Sequence, residues 1–327
     1  MPYLHYFNRS GIFPGPERWL FMSLPSMTVI MTVHNGMPYL RESVRSILQQ
    51  DAPGLRFCVI DNCSSDGSRE FLDETLARHA GREPFMTVEH RPENVGRTAA
   101  LNRALDAVTT ELAAVMDADD VAHPSRIRLQ TAVFMERPEV DLCASGISYI
   151  DGNGTILGVE ACPPGHENLL EALVVKNPFA RSAMAFRVAA ARAAGGFDER
   201  FPYSQDLALW IAMLARGGRA HGIPEPLASI RVHPGQRSGQ IALLKVRARD
   251  AYRLAGAMLG IAELKPAARQ AAMVRRARAL RSLNHPRKAV EELWRAFREA
   301  PLQFPFNPLV WRRFGLERRR RKGRSFG

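Results

Sequence analysis

Short, almost wholly apolar runs alternate with amphipathic stretches through the first half of the chain. Thr28–Val33, Phe57–Ile60, Met86–Val88, Leu112–Met116 and Leu142–Ala144 are bounded by polar, Gly or Pro residues, the pattern of buried strands. Between them, Leu40, Val44, Ile47 and Leu48 recur at one-face helical spacing, with Pro38 suited to the first turn; Ala100, Leu101, Ala104, Leu105 and Val108 repeat the pattern. Such alternation predicts an α/β fold, a mainly parallel sheet covered by helices, with ligands at the carboxyl ends of its strands. The polar clusters fall there: Thr32–Gly36, Asp61–Ser68, Arg91–Arg97 and Asp117–Asp120 each follow an apolar run. A hairpin signal at Asp151-Gly-Asn-Gly154 makes the second half mixed.

The two ends read differently. Residues 1–26, with Pro2, Pro14, Pro16 and Pro25, show no periodicity and form an irregular lead-in. From about Gly239 helical patterns take over, interrupted at Pro266, Pro286, Pro301, Pro305 and Pro308, and Pro286–Pro301 reads as one helix of a helical hairpin. The expected division is therefore a lead-in over 1–26, an α/β domain over 27–240 and a basic helical region over 241–327.

Charge sharpens that division. The net charge of +12 over 327 residues is concentrated after Lys245, where 22 Lys or Arg face 6 Asp or Glu; the remainder carries 23 against 27. Basicity so placed assigns any anionic partner to the tail, not to the part ahead of it. Cys58, Cys63, Cys143 and Cys162 form no Cys-x-x-Cys pair and have no histidine at zinc-finger spacing, which points to reduced, cytosolic thiols. No long uncharged apolar run and no secretion signal pattern occur, so neither a membrane span nor export is expected.

Two clusters carry chemistry. In Val115-Met-Asp117-Ala-Asp119-Asp120 three carboxylates crowd one turn after an apolar strand, and a divalent cation is their natural counter-ion; as a bare acidic turn the segment would only lead a helix capped at Asp120 or Ser125. Asp61-Asn-Cys-Ser-Ser-Asp-Gly-Ser68 offers short hydrogen-bonding side chains suited to a nucleobase and ribose, or equally to an Asx-rich turn; Thr32-Val-His-Asn-Gly36 has the same two readings.

Seven segments in order, TVIMTVHNGMPYL (28–40), DNCSSDGS (61–68), ENVGRTAALN (93–102), DADD (117–120), GGFDE (195–199), QDLALW (205–210) and LASIRVH (227–233), resemble the catalytic domain of glycosyltransferase family 2. The resemblance covers about Thr28–Gly239. It implies a GT-A type, Rossmann-like mixed sheet flanked by helices, with a C-terminal helical appendage outside the match. It also implies a nucleotide-diphosphate sugar donor and inversion at the anomeric carbon. By position in the motifs, Thr32 and His34 flank the base, His34 standing where the family often has tyrosine. Asp61 and Asn62 resemble the pair that reads base and ribose, and Asn94, Gly96 and Arg97 the donor loop, with Arg97 suited to phosphate. Asp119 resembles the direct ligand of a divalent metal, Mn or Mg, and Asp117 a ligand of ribose or of a metal-bound water. Arg231-Val-His233 resembles the motif that closes over the diphosphate, which makes His233 a candidate for metal or phosphate. Asp206 resembles the general base, with Gln205 where the family has Glu.

The expected reaction is single displacement onto a hydroxyl of a saccharide or lipid-linked acceptor, in cell-surface polysaccharide or glycolipid synthesis. A sugar nucleotidyltransferase is the enzymatic alternative, but it calls for a Gly-rich basic loop at the first strand, and His34-Asn-Gly36 is not one. A membrane or nucleic-acid binding module is the non-enzymatic alternative, nucleic acid being the less expected partner. Arg312, Arg313, Arg318–Arg321, Lys322 and Arg324 beside Phe304, Phe306, Leu309, Val310, Trp311 and Phe314 have the composition of a helix lying on an anionic membrane. Peripheral attachment at the cytoplasmic face is the resulting expectation, with a packed aromatic segment and a solvated end as its counterpart.

Overall fold

The strand runs at the start of the chain are apolar on both sides of the pleat because both sides are covered. A computed structural model describes residues 26–236 and 243–299, together with 301 and 307. Its first half runs β1 (Met27–Val33), α1 (Leu40–Leu48), β2 (Arg56–Asp61), α2 (Ser68–His79), β3 (Phe85–His90), α3 (Arg97–Asp106) and β4 (Leu112–Asp117). Val29, Met31 and Val33 of β1, with Leu112, Ala114 and Met116 of β4, face one core that includes Leu40, Val44 and Ile47 of α1. Ile30, Ala113 and Val115, the alternate positions, face a second core against α3 and the later helices. Period-two alternation thus distributes one strand between two hydrophobic layers.

The chain continues through β5 (Val121–Ala122), α4 (Arg126–Glu136), β6 (Val140–Ile150), β7 (Ile156–Glu160), α5 (His166–Val175), β8 (Met184–Arg187), α6 (Val188–Ala193), α7 (Gln205–Ala215) and β9 (Arg219–Arg231). The strands form one sheet in the order β3-β2-β1-β4-β8-β6-β9-β5, with β7 paired to β6. Strands β1 to β4 pair in parallel, β8 is antiparallel to both β4 and β6, and β6 runs parallel to β9. The β6–β7 hairpin forms at the Asp151–Gly154 signal, where Asp151 Oδ1 accepts from the Asn153 and Thr155 amides. The fold is the mixed α/β sheet expected from the motifs.

One expectation shifts locally: Pro38 stands before α1, which begins at Leu40, instead of within its first turn. After residue 243 come α8 (Leu244–Met258), α9 (Pro266–Ser282) and α10 (Pro286–Glu299). They pack against α7 and α5: Arg275 of α9 donates to the Leu173 carbonyl at 3.0 Å, and Asp250 of α8 accepts the Tyr203 and Ser204 amides that lead into α7. Residues 1–25 and every residue named for the basic aromatic tail, Phe304 through Arg324, lie outside the described residues.

Candidate active site

The carboxyl ends of β1, β2 and β4 and the loop ahead of α3 converge on a cavity of 720 Å³ whose walls include Thr32, His34, Asn62, Asn94, Gly96, Arg97, Asp119 and His233. Eight of the residues singled out from sequence are thereby brought together. Asp206 lines a second cavity of 300 Å³ with Asp117, Arg181, Tyr203 and Ser204, and the two cavities share Arg97, Asp119 and Gln236.

The base of the first cavity is laced by the Asp61–Ser68 loop. Ser64 and Ser68 hydroxyls accept the Asn35 and Gly36 amides at 3.0 Å, and Asp66 accepts Met37 N–H at 2.8 Å. These short polar side chains bind the neighbouring loop, which is what their type allows at a turn. Cys63, at φ 65°, holds a backbone conformation rarely tolerated by a side chain, and the surrounding bonds sustain it. Asp61 itself is fully buried: Oδ1 accepts from Ser64 N–H, and Oδ2 meets His90 Nδ1 at 2.8 Å. Asn62 Nδ2 donates to Asn94 Oδ1 at 2.8 Å, and Asn62 Oδ1 accepts from Val95 N–H at 3.0 Å, so Asn62 tethers the donor loop. Gly96, at φ 83°, turns that loop into α3 with its side open to the cavity. Arg97 then occupies the first position of the helix, where the dipole also favours an anion.

The Asp117–Asp120 turn is the electrostatic centre. Its three carboxylates have ligand oxygens within 4.8 Å of one another. They are not equivalent. Asp120 accepts from Ser182 Oγ at 2.5 Å and from Arg231 N–H at 2.9 Å; burial, then the negative charge of Asp117 and Asp119, push its carboxyl well above the usual carboxylate range. Asp117 is gripped by Arg181; burial opposes its charge, but Arg181 and Arg97 outweigh burial and hold it below the usual range. Asp119 faces the cavity, with Oδ2 3.1 Å from His233 Nε2. Asp119 and His233 could together offer ligand atoms to a divalent cation, with Asp117 behind them, while Asp120 is engaged by Ser182 and Arg231.

One neighbour of the site, Arg181, carried no sequence signal, and the motif residues Tyr39, Gln205 and Arg231 take contacts the sequence did not specify. Arg181 is largely buried, with side-chain exposure of 12%, and reaches Asp117 through Nη2. Burial works against its charge, but Asp117 and Asp206 outweigh it and raise its pKa. Its Nε is buried without a hydrogen-bond partner among the described residues. With the Gln205 amide oxygen turned toward it, Arg181 Nη1 donates at 3.1 Å while Gln205 donates to the Tyr203 carbonyl at 3.1 Å. Tyr39 packs its ring 4.7 Å from that of His233. Arg231 is 1% exposed and stitches the acidic turn: it donates to the Asp119, Asp151 and Gly152 carbonyls, pairs with Glu42 and stacks over Tyr39.

A mixed sheet with an acidic turn at the end of its fourth strand, between two joined cavities, is the arrangement of GT-A glycosyltransferases. The family model described as Glycosyl transferase family 2 matches residues 28–191, half of the chain, and the protein belongs to that family of glycosyltransferases. Among curated relatives, the O-antigen biosynthesis glycosyltransferase WbnJ of Escherichia coli is 28% identical over 216 residues, 64% of this chain and 81% of WbnJ. Among solved structures, S. aureus TarS 1-349 in complex with UDP-GlcNAc gives a TM-score of 0.63 at 15% identity, covering 92% of this chain and 93% of that one. The mannosyltransferase PcManGT of Pyrobaculum calidifontis, in complex with GDP-Man and Mn2+, gives 0.56 at 20% identity, covering 91% and 89%. At such identities the likeness shows the shared fold. Among the described residues no helix is long and apolar enough to cross a membrane.

Proposed function

We propose that the protein is an inverting transferase that binds a nucleotide-diphosphate sugar in the larger cavity and a hydroxyl acceptor in the smaller one. The observation that carries this reading is the meeting of the two cavities at Asp119 and Arg97, with Asp206 on the acceptor side. Such a layout can expose the anomeric carbon of a donor to a nucleophile from the opposite direction. The bound nucleotide sugars of the TarS and PcManGT structures support the donor class, and the O-antigen role in the name of WbnJ supports a cell-surface polysaccharide or its lipid-linked precursor as acceptor. Residues 27–240 are the catalytic unit of this reading, and 241–327 an appended basic region.

In the larger cavity Thr32, His34 and the Asn62–Asn94–Gly96 wall receive the base and ribose, Asp61 supporting that wall from beneath through the Ser64 amide. Arg97, at the positive end of α3, takes phosphate charge. Asp119 and His233, with Asp117, would hold a divalent Mn or Mg ion, as the Mn2+ in the PcManGT complex supports; such an ion supplies Lewis-acid stabilisation of the departing diphosphate. Arg181 keeps Asp117 ionised through its guanidinium. Asp206, in the first turn of α7, accepts the proton of the attacking hydroxyl as the new glycosidic bond forms and the bond to phosphate breaks. The site would work at the cytoplasmic face of a membrane, where lipid-linked acceptors are within reach.

Slow hydrolysis of the donor tests the stereochemistry without knowledge of the acceptor. Proton NMR of the sugar released from an α-linked donor should show the β anomer first. Initial appearance of the α anomer would remove the inverting mechanism.

A further inference from the structure

Helix α10 is built the wrong way round for a helix whose only role is to pack. Its buried positions are small or polar, Ala289, Glu292 and Ala296, and they meet α9 closely: Gln270 Nε2 donates to the Ala296 carbonyl at 3.1 Å, and Arg276 pairs with Glu292 at 3.4 Å. Leu293 packs inward beside Ala289, but the helix's other large apolar residues point outward. Val290, Trp294 and Phe297, at i, i+4 and i+7, are exposed by 53%, 60% and 37% and form one stripe, with the Trp294 and Phe297 rings in edge contact at 5.9 Å. Packing against α9 does not account for them. Isolated exposed apolar residues need no explanation, but a three-turn stripe with an aromatic pair does.

The charge beside the stripe identifies what fits it. At 100° per residue, Arg287 and Arg298 lie directly along one edge of the stripe, and Arg295 and Lys288 follow; all four are exposed, and Glu291 is the sole acid on that flank. An apolar aromatic face bordered by cations matches the boundary between lipid headgroups and acyl chains.

We propose that the Val290–Trp294–Phe297 face of α10 docks on an anionic lipid surface. The proposal adds a surface to the catalytic reading, and its test needs no turnover, so either can fail alone. The full chain is sedimented with phosphatidylglycerol vesicles and with phosphatidylcholine vesicles at low ionic strength, beside Trp294→Ser/Phe297→Ser and Arg287→Gln/Arg298→Gln variants. Because these side chains are exposed, unchanged circular dichroism and melting temperature establish that the variants fold. Wild type should sediment with the anionic vesicles only; the aromatic variant should bind at least about tenfold more weakly, and the basic variant should show a smaller deficit that shrinks as rising salt screens the wild-type charges. Three outcomes overturn the proposal: wild type stays in the supernatant; the aromatic variant sediments as well as wild type; or light scattering shows a wild-type dimer that the aromatic variant turns into a monomer while vesicles have no effect, which would give the face to a second copy.

Discussion

Arg181 and Asp117 are paired guanidinium to carboxylate across 64 positions of the chain, in the wall of the smaller cavity. The other arm of Arg181 reaches Gln205, next to Asp206. One cation therefore braces both the acidic turn and the start of α7.

Removing that brace should show in stability and in turnover. For Arg181→Ala we expect a loss of about 3 kcal/mol in denaturant unfolding, the scale for a mostly buried pair left with one partner. Arg181→Lys keeps the charge but not the fork, and should recover part of the stability while turnover stays low. Wild-type turnover in Arg181→Ala would detach the pair from catalysis.

Asp206 lies in the smaller cavity, away from the donor wall. Asp206→Asn should leave nucleotide binding unchanged and lower kcat by about a hundredfold or more, as loss of a general base does. Measured side by side, full turnover in the variant, or an equal loss of donor affinity, argues against that role.

Asp119 holds its place in the turn through its backbone carbonyl, which accepts from Arg231 Nε at 3.0 Å, so truncating the side chain spares the fold. Calorimetry of Asp119→Ala should show manganese-dependent affinity for nucleoside diphosphate weakened by at least about tenfold, with little change in melting temperature. Equal affinity in the two proteins would place the ion elsewhere.

His90 bridges Asp61 and Asp73, each at 2.8 Å. Burial opposes its charge, but the bonds to the two carboxylates outweigh burial and raise its pKa. The folded state thus binds this proton more tightly than the unfolded chain, whose imidazole titrates near about 6.5. Its stabilisation is fully present below that value and is lost as pH rises through the folded pKa. The melting-temperature gap between wild type and His90→Gln should accordingly be widest in acid and shrink toward alkaline pH; a gap that widens with pH would contradict the bridge.

The sheet could be read from the chain because β1, β2 and β4 are covered on both faces and therefore appear as unbroken apolar runs, and the site could be read because polar clusters end those runs. Arg181 could not. It lies just before β8, a strand inserted antiparallel between β4 and β6, so its neighbours are set by a long-range pairing that local pattern does not encode. Gln205 reads in sequence as a lost negative charge beside Asp206; in the fold it is the acceptor for Arg181. The Asp117–Asp120 turn reads as three similar carboxylates, and only burial separates Asp120, committed to Ser182 and Arg231, from Asp119, which faces the cavity.

The donor cavity is the centre of the functional reading, and its occupant can be measured without an acceptor. Thermal shift of the wild-type chain with a panel of nucleoside diphosphates, each with and without manganese, reports binding because a ligand selective for the folded state raises its melting temperature. One nucleoside diphosphate should stabilise the protein clearly more than the others, with most of the shift requiring manganese and absent from Asp119→Ala. No shift with any nucleoside diphosphate, with or without manganese, would contradict the assignment of this cavity to a nucleotide-sugar donor.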